Sequence, residues 1–254
     1  MNKDELLQSK IEDCIRRCSN GMYVTTTKFL DAHEQAIAGT IVRNSIDCKT
    51  LFYGGYSDAE RRMLICIPRE LDFDEEEACE GLVKVLHIET AKGSRKLGHR
   101  DYLGSVLSLG LDRSVTGDIL VREDGADMII LPDMEDFLLS EYTKAAHTEL
   151  KTSICSINQL TIPERRTQTI RDTVPSERLD NVVSSAFKIS RAQAAKAINA
   201  GLVSVNHIEN TKIDSKVTEG STLVLRGKGK ALVSEIGGES KKGRIWISIE
   251  RYVD

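Results

Sequence analysis

SERLDNVVSSAFKISRAQAAKAINAGLVSVNHIENTKIDSKVTEGSTLVLRGKGKA, residues 176–231, is the stretch whose reading decides the fold. Pro175-Ser176 reads as a helix opening, with Ser176 as N-cap. Leu179, Val182, Val183 and Ala186 recur at i, i+3, i+4 and i+7, which is one helical face. Ser190 and Gln193 form a capping box, in which hydroxyl and amide satisfy each other's orphan backbone donors. Ala194, Ala195 and Ile198 give this second helix an apolar stripe, and Lys196 falls on the opposite side. Gly201 is the expected left-handed stop. Leu202–Val205 reads as a short strand, Asn206-His207 as a turn, and Thr222–Arg226 as a further strand. Gly227-Lys228-Gly229-Lys230 reads as a mobile basic loop.

This segment resembles the S4-type RNA-binding domain, named for a small-subunit ribosomal protein. The domain's Arg-Leu-Asp opening stands here as Arg178-Leu179-Asp180, and its Ser-Arg helix start as Ser190-Arg191. Its Gly-x-Val-x-Val-Asn is Gly201–Asn206, and its late Arg-Gly is Arg226-Gly227. Two positions depart from the pattern. His207 stands where a turn glycine is usual, and Ser221 where an aspartate is usual. Neither removes a positive charge; both bear on turn geometry. The resemblance implies structured RNA as ligand. Arg178, Arg191, Lys196, Lys212, Arg226, Lys228 and Lys230 are then expected on phosphates, with Ser190 and Asn206 adding hydrogen bonds. Each cation would act by charge and counterion release, so binding would fall with salt.

At 254 residues the chain is long enough for two or three domains. Its net charge of −4 alone argues against a nucleic-acid binder. The distribution reverses that reading: from Ser176 onward there are 13 Lys+Arg against 9 Asp+Glu, and the remainder carries a net −8. A basic end facing phosphates and an acidic remainder suit a defined site rather than a coating of positive charge. The N-terminus MNKDELLQSK carries no signal-peptide pattern, and no apolar run approaches membrane-span length. Of six scattered cysteines, Cys14 and Cys18 form C-x3-C without a second pair or a nearby histidine. They read as reduced thiols, and no metal is expected.

Between about residues 82 and 157 the order is β-α-β-β-α-β, a ferredoxin-like arrangement. Val83–Thr90 is the first strand and His99–Leu109 the first helix. Gly117–Arg122 and Ala126–Leu131 are paired strands joined through Asp124-Gly125, a hairpin signal. Asp133 opens a helix through Lys144, and Thr148–Ile157 is the last strand. RNA-recognition modules of this fold stack bases on aromatics of their central strands. Ala126–Leu131 contains none, so RNA contact is assigned instead to Lys92, Arg95, Lys96, His99 and Arg100. Earlier in the chain, helices are expected over 4–18 and 26–38, and strands over 51–56 and 63–67. The acidic run Asp72–Glu80 reads as a solvated helix start. Residues 158–175 read as a polar linker.

Phe52-Tyr53-Gly54-Gly55-Tyr56-Ser57-Asp58-Ala59-Glu60-Arg61 resembles the Gly-Gly-Tyr…Ala-Glu-Arg signature of the YlmH family. His99–Gly104, Leu109–Arg113 and Gly117-Asp118-Ile119 resemble its central motif. The resemblance spans nearly the whole chain. It implies a bacterial cytoplasmic RNA-binding protein on the large ribosomal subunit, touching ribosomal RNA and tRNA in ribosome-associated quality control. The family's older association with cell division finds no support in these residues. The expected organisation is α+β: a small N-terminal α/β domain (1–80), a central ferredoxin-like domain (81–160) and a C-terminal S4-type domain with a terminal β-hairpin (175–254). No cofactor loop or P-loop appears, and the expectation is non-catalytic. The alternative is an RNA-modifying enzyme, pseudouridine synthase- or methyltransferase-like. Asp101 and Asp118 are its acid candidates, and Arg178-Leu179-Asp180 matches the spelling around a pseudouridine synthase's catalytic aspartate.

Overall fold

Residues 2–43, 47–71, 74–91, 93–160, 162, 167–240 and 243–253 are described by the structure, a computed structural model. The chain divides into two units, 1–163 and 164–254.

In the first unit, α1 (Lys3–Gly21) buries Ile11, Cys14, Ile15 and Cys18, the face its spacing predicts. Thr25–Thr26 forms a short β1, so α2 (Ala32–Val42) starts later than the expected 26–38. The cause is tertiary: Thr25 pairs with Cys66, and Leu30 bridges to Arg62. An Asp31–Glu34 capping box then opens α2. β2 (Cys48–Tyr53) and β3 (Met63–Pro68) complete a three-stranded sheet of order β1-β3-β2. The acidic run does begin a helix, α3 (Glu75–Cys79), capped by Asp74; Asp72 lies outside the described residues.

Next come β4 (Lys84–Thr90), α4 (His99–Ser108), β5 (Thr116–Val121), β6 (Gly125–Ile130), α5 (Glu135–Glu141), β7 (Lys144–Ala145) and β8 (Thr148–Cys155). The sheet order β5-β6-β4-β8-β7 is the ferredoxin-like order with one short added strand. α5 stops before Lys144, which pairs with Glu149. Gly125 does not serve as a turn residue. It sits in β6 opposite Glu89, and a Cβ there would lie 1.8 Å from the Ile88 carbonyl oxygen. Leu86, Ile88, Ala126, Met128 and Ile130 pack in one core with Tyr102 and Val106 of α4 and Leu138 of α5. Ile129, on the other face, packs with Phe29, Met63 and Ile65. That end of the sheet face is therefore occupied by the N-terminal segment's own core.

The second unit begins with β9 (Thr167–Val174), inside the stretch that reads as linker. Its eight residues pair with β14 (Ile245–Tyr252). Its side chains are mostly polar and exposed, so backbone hydrogen bonding to an edge, invisible to hydrophobic pattern, makes it a strand. α6 (Leu179–Phe187), α7 (Arg191–Asn199), β10 (Val203–Val205), β11 (Ile208–Glu209), β12 (Thr222–Leu225) and β13 (Gly229–Glu239) lie between. The sheet order is β11-β10-β12-β13-β14-β9. Both helices pack on one face through Leu179, Val182, Val183, Ala186, Ala194 and Ile198, against Val203, Leu223, Val233, Ile247 and Ile249. Residues 227–230 are a tight β12–β13 connection rather than an open loop: Leu225 pairs with Gly229, and Lys228 N–H donates to the Leu225 carbonyl at 2.8 Å.

Candidate nucleic-acid interface

Ser176 does not cap α6. The N-cap is Arg178, and carbonyls of the 213–215 loop take the orphan donors instead. Leu179 N–H donates to Ser215 O at 2.8 Å and Asp180 N–H to Ile213 O at 3.1 Å. Ser176 accepts from the Asn181 amide at 2.9 Å, satisfying a buried polar side chain. Ser190 caps α7 as expected, accepting from Gln193 N–H at 3.1 Å.

These two helix starts converge on Asp180. Its carboxylate is buried, 2% exposed, yet accepts from Arg178 Nε at 3.1 Å, Arg191 Nε at 2.8 Å and Asn181 N–H at 3.1 Å. Burial pushes its pKa up; the hydrogen bonds from Arg178 and Arg191 outweigh burial and hold it below the usual carboxylate range. The guanidinium groups keep 37% and 57% of their side-chain surface exposed. One buried anion thus orients two accessible cations whose remaining N–H groups can hold phosphate bidentately. An aspartate enclosed this way is not presented to a substrate as a nucleophile.

Lys212 is exposed on the loop that caps α6, where Asn210 Oδ1 accepts its N–H at 2.9 Å. Lys216, missed from sequence, bridges backbone to backbone with Arg178 and pairs with Glu177 at 2.7 Å. Lys196 is exposed further along α7. Arg226 N–H donates to Leu202 O, just past the C-terminus of α7, so Arg226 lies roughly one helix length, about 13 Å, from Arg191, with Lys228 on the turn beyond it. Lys230 is not on this side: its neighbour Ala231 faces the core, so Lys230 points away from the helices. Lys230 Nζ stands 5.2 Å from the Tyr252 ring centroid. Asn206 is at the far end of β10, where its Oδ1 accepts Thr222 N–H at 2.9 Å.

In the first unit, Lys92 lies outside the described residues. Lys96 and Arg100 are exposed. Asp101 pairs with Arg95 at 2.7 Å and also accepts Gly98 N–H at 2.9 Å. His99 heads α4 on the surface, where partial desolvation and the Arg113 charge lower its pKa and disfavour the imidazolium.

The signature residues of 52–61 and 109–119 meet in one knot. Asp118 accepts from Tyr56 OH at 2.7 Å, Glu60 N–H at 2.7 Å and Arg61 N–H at 2.9 Å. Arg61 and Arg113 both donate to the Thr116 carbonyl, at 3.2 and 2.7 Å. Burial and the neighbouring Arg61 charge push Arg113 down to about 10. Asp118 is thus committed to joining the N-terminal segment to the central sheet.

His87, Asp127 and Cys155 bring ligand atoms within 4.8 Å of one another, the one such group among the described residues. The Arg122 guanidinium occupies the place a cation would take. It donates to Asp127 and lies 3.0 Å from His87 Nδ1, so this donor set is an ion-pair network.

Comparison with known proteins supports what this geometry suggests. Residues 77–159 match the family described as "Putative RNA-binding domain in YlmH", and residues 177–223 match the S4 domain. The chain is 30% identical over 230 residues to "Ribosome-associated protein quality control protein P2" of Bacillus subtilis (strain 168), covering 89% of this chain and 86% of that one. The chain belongs to the YlmH family. A solved YlmH structure, "Cell division protein ylmH from Streptococcus pneumoniae", shares the fold at 17% identity with a TM-score of 0.52, over 64% of this chain and 96% of that one. YlmH-type sequence thus accounts for the central module and the S4 module alike. No helix among the described residues is long and apolar enough to cross a membrane.

Proposed function

We propose that this protein is a cytoplasmic, non-catalytic RNA-binding factor that docks on the large ribosomal subunit during ribosome-associated quality control. It would contact ribosomal RNA and, in that setting, tRNA. The observation that carries the reading is the Asp180-centred pair Arg178 and Arg191, two exposed guanidinium groups held by one buried carboxylate. Lys212 and Lys216 add exposed charge on the adjoining loop, and Lys196 on α7. Arg226 and Lys228 would reach a second phosphate further along the same RNA, while Lys230 stands on the opposite face of the sheet. The name of the Bacillus subtilis relative supplies the ribosomal context.

The test is sedimentation of the purified protein with separated ribosomal subunits across a salt series. The expected result is co-sedimentation with the large subunit that falls steeply with salt. Binding to neither subunit, or binding indifferent to salt, would sink the reading.

A further inference from the structure

Trp246 is the chain's only tryptophan and is 52% exposed. It stands on β14 between Ile245 and Ile247, and Ile247 and Ile249 face the core under α6 and α7. Strand alternation therefore places Trp246 and Ser248 on the opposite face. That is the side of the sheet away from the helices that carry Arg178 and Arg191.

The described surroundings leave the indole open. On one side β13 is irregular between Ile236, paired with Ile247, and Glu239, paired with Ile245. Gly237 and Gly238 fill the gap and offer Trp246 no side chain. A Cβ on Gly237 would lie 3.4 Å from Trp246 Cβ, and one on Gly238 would meet nothing within 4 Å. On the other side Trp246 pairs with Thr173, and Ser248 with Arg171. Arg244 is fixed beside this pair: its Nε donates to Thr173 Oγ1 at 2.9 Å and its Nη2 to the Thr173 carbonyl. Arg171 is exposed and diagonal to Trp246, within reach of a long side chain. Glu235, across Ser248, and Glu250 share this face, but neither adjoins Trp246 across a strand.

We propose that Trp246, with Arg171 and Arg244, is a stacking site for an unpaired base of single-stranded RNA. A docked protein would need a patch of apolar neighbours. The same face of β9 instead offers Thr167, Thr169, Arg171 and Thr173. One broad aromatic ring with guanidinium groups at its rim matches a base and its flanking phosphates. The inference rests on the RNA-binding reading above but concerns a different face of the same unit.

The experiment is a titration of the full-length protein with fluorescein-labelled single-stranded RNA 12-mers, adenine-rich and uridine-rich, and with a blunt RNA duplex. Anisotropy reports total binding, and intrinsic fluorescence reports Trp246 alone. Single strands should quench Trp246 and the duplex should not. Trp246→Ala should weaken single-strand binding roughly tenfold, and Trp246→Phe should retain most of it. Arg191→Gln should weaken binding yet leave the quenching amplitude at saturation unchanged. Binding by anisotropy with Trp246 unquenched and Trp246→Ala unaffected would overturn this inference and leave the proposed function standing. Equal quenching by duplex, or concentration-dependent change in Trp246 emission without RNA, would also overturn it, the latter assigning the face to a second copy. No binding of any RNA at low salt would remove both readings.

Discussion

The Asp180 carboxylate reaches across eleven residues of sequence to accept from Arg191 Nε at 2.8 Å, while a second hydrogen bond ties it to Arg178. An anion at the centre of the proposed RNA-binding site is useful only if it places the cations. Asp180→Asn raises net charge by one, which simple electrostatics says should strengthen RNA binding. It also replaces one of the two acceptor oxygens with an NH2 donor, which then faces one arginine and loses its hydrogen bond. The expected result is a roughly three- to tenfold loss of RNA affinity by anisotropy at fixed salt. Equal or tighter binding would refute the positioning role.

Acid should expose the same linkage. The folded-state pKa of Asp180 is depressed, so its contribution to stability is fully present above the unfolded carboxylate value of about 4. That contribution is lost as pH falls through the depressed folded value, because the unfolded state binds the proton first. Urea melts followed by Trp246 emission between pH 3 and 5 should show wild type losing stability more steeply than Asp180→Asn. Parallel curves would count against the linkage.

Removing both arginines strands a buried carboxylate. Arg178→Ala with Arg191→Ala should abolish most salt-sensitive RNA binding. It should also lower the melting temperature, because the buried Asp180 carboxylate loses both partners. Adding Asp180→Asn should recover much of the stability and none of the binding. That triple variant, checked by melting and anisotropy, separates loss of contact from loss of fold.

Asp118 should behave as a structural residue. Asp118→Ala leaves Tyr56 OH and the N–H groups of Glu60 and Arg61 without their acceptor. The expected cost is about 2–4 kcal/mol in the first unit. RNA binding through the second unit should be unchanged. Folded, stable protein with altered RNA binding would instead assign Asp118 a direct functional role.

The turn at Asn206-His207 carries both residues at positive φ, 49° and 68°, between the paired Val205 and Ile208. A two-residue hairpin with that geometry favours glycine second. His207→Gly should therefore stabilise the second unit by roughly 0.5–1 kcal/mol, read by thermal melting. A lower melting temperature would show that contacts of the imidazole outweigh the backbone strain.

Local chemistry made much of this protein legible. The capping box at Ser190, the apolar face of α6 and the stop at Gly201 each depend on neighbours within a few residues, and each stands as its spacing predicts. The ferredoxin-like order followed from the β-α-β-β-α-β succession of segments and the hairpin signal at Asp124-Gly125, and one face of β4, β6 and β8 fills a single core. Elements held by distant backbone were not legible. β9 has almost no buried side chains and exists because β14 offers an edge. The start of α6 is set by carbonyls some 35 residues downstream in the chain, so a nearby serine with the right chemistry was passed over.

The candidate site divides the same way. Sequence by itself determined which residues carry charge and which helices carry them: Arg178 and Arg191 at two helix starts, Lys196 along the second. It also determined the family, since the signature residues are short and contiguous. Only the tertiary structure decided that Asp180 is the hub between the arginines, that Lys216 joins them, and that Arg226 and Lys228 lie at the other end of α7. It also left Trp246 on an exposed face opposite two glycines. The physical reason is reach. A cap or a helical stripe is a relation among residues a turn apart, whereas a buried charge finds its partners, and a sheet face its cover, only after the chain has folded back on itself.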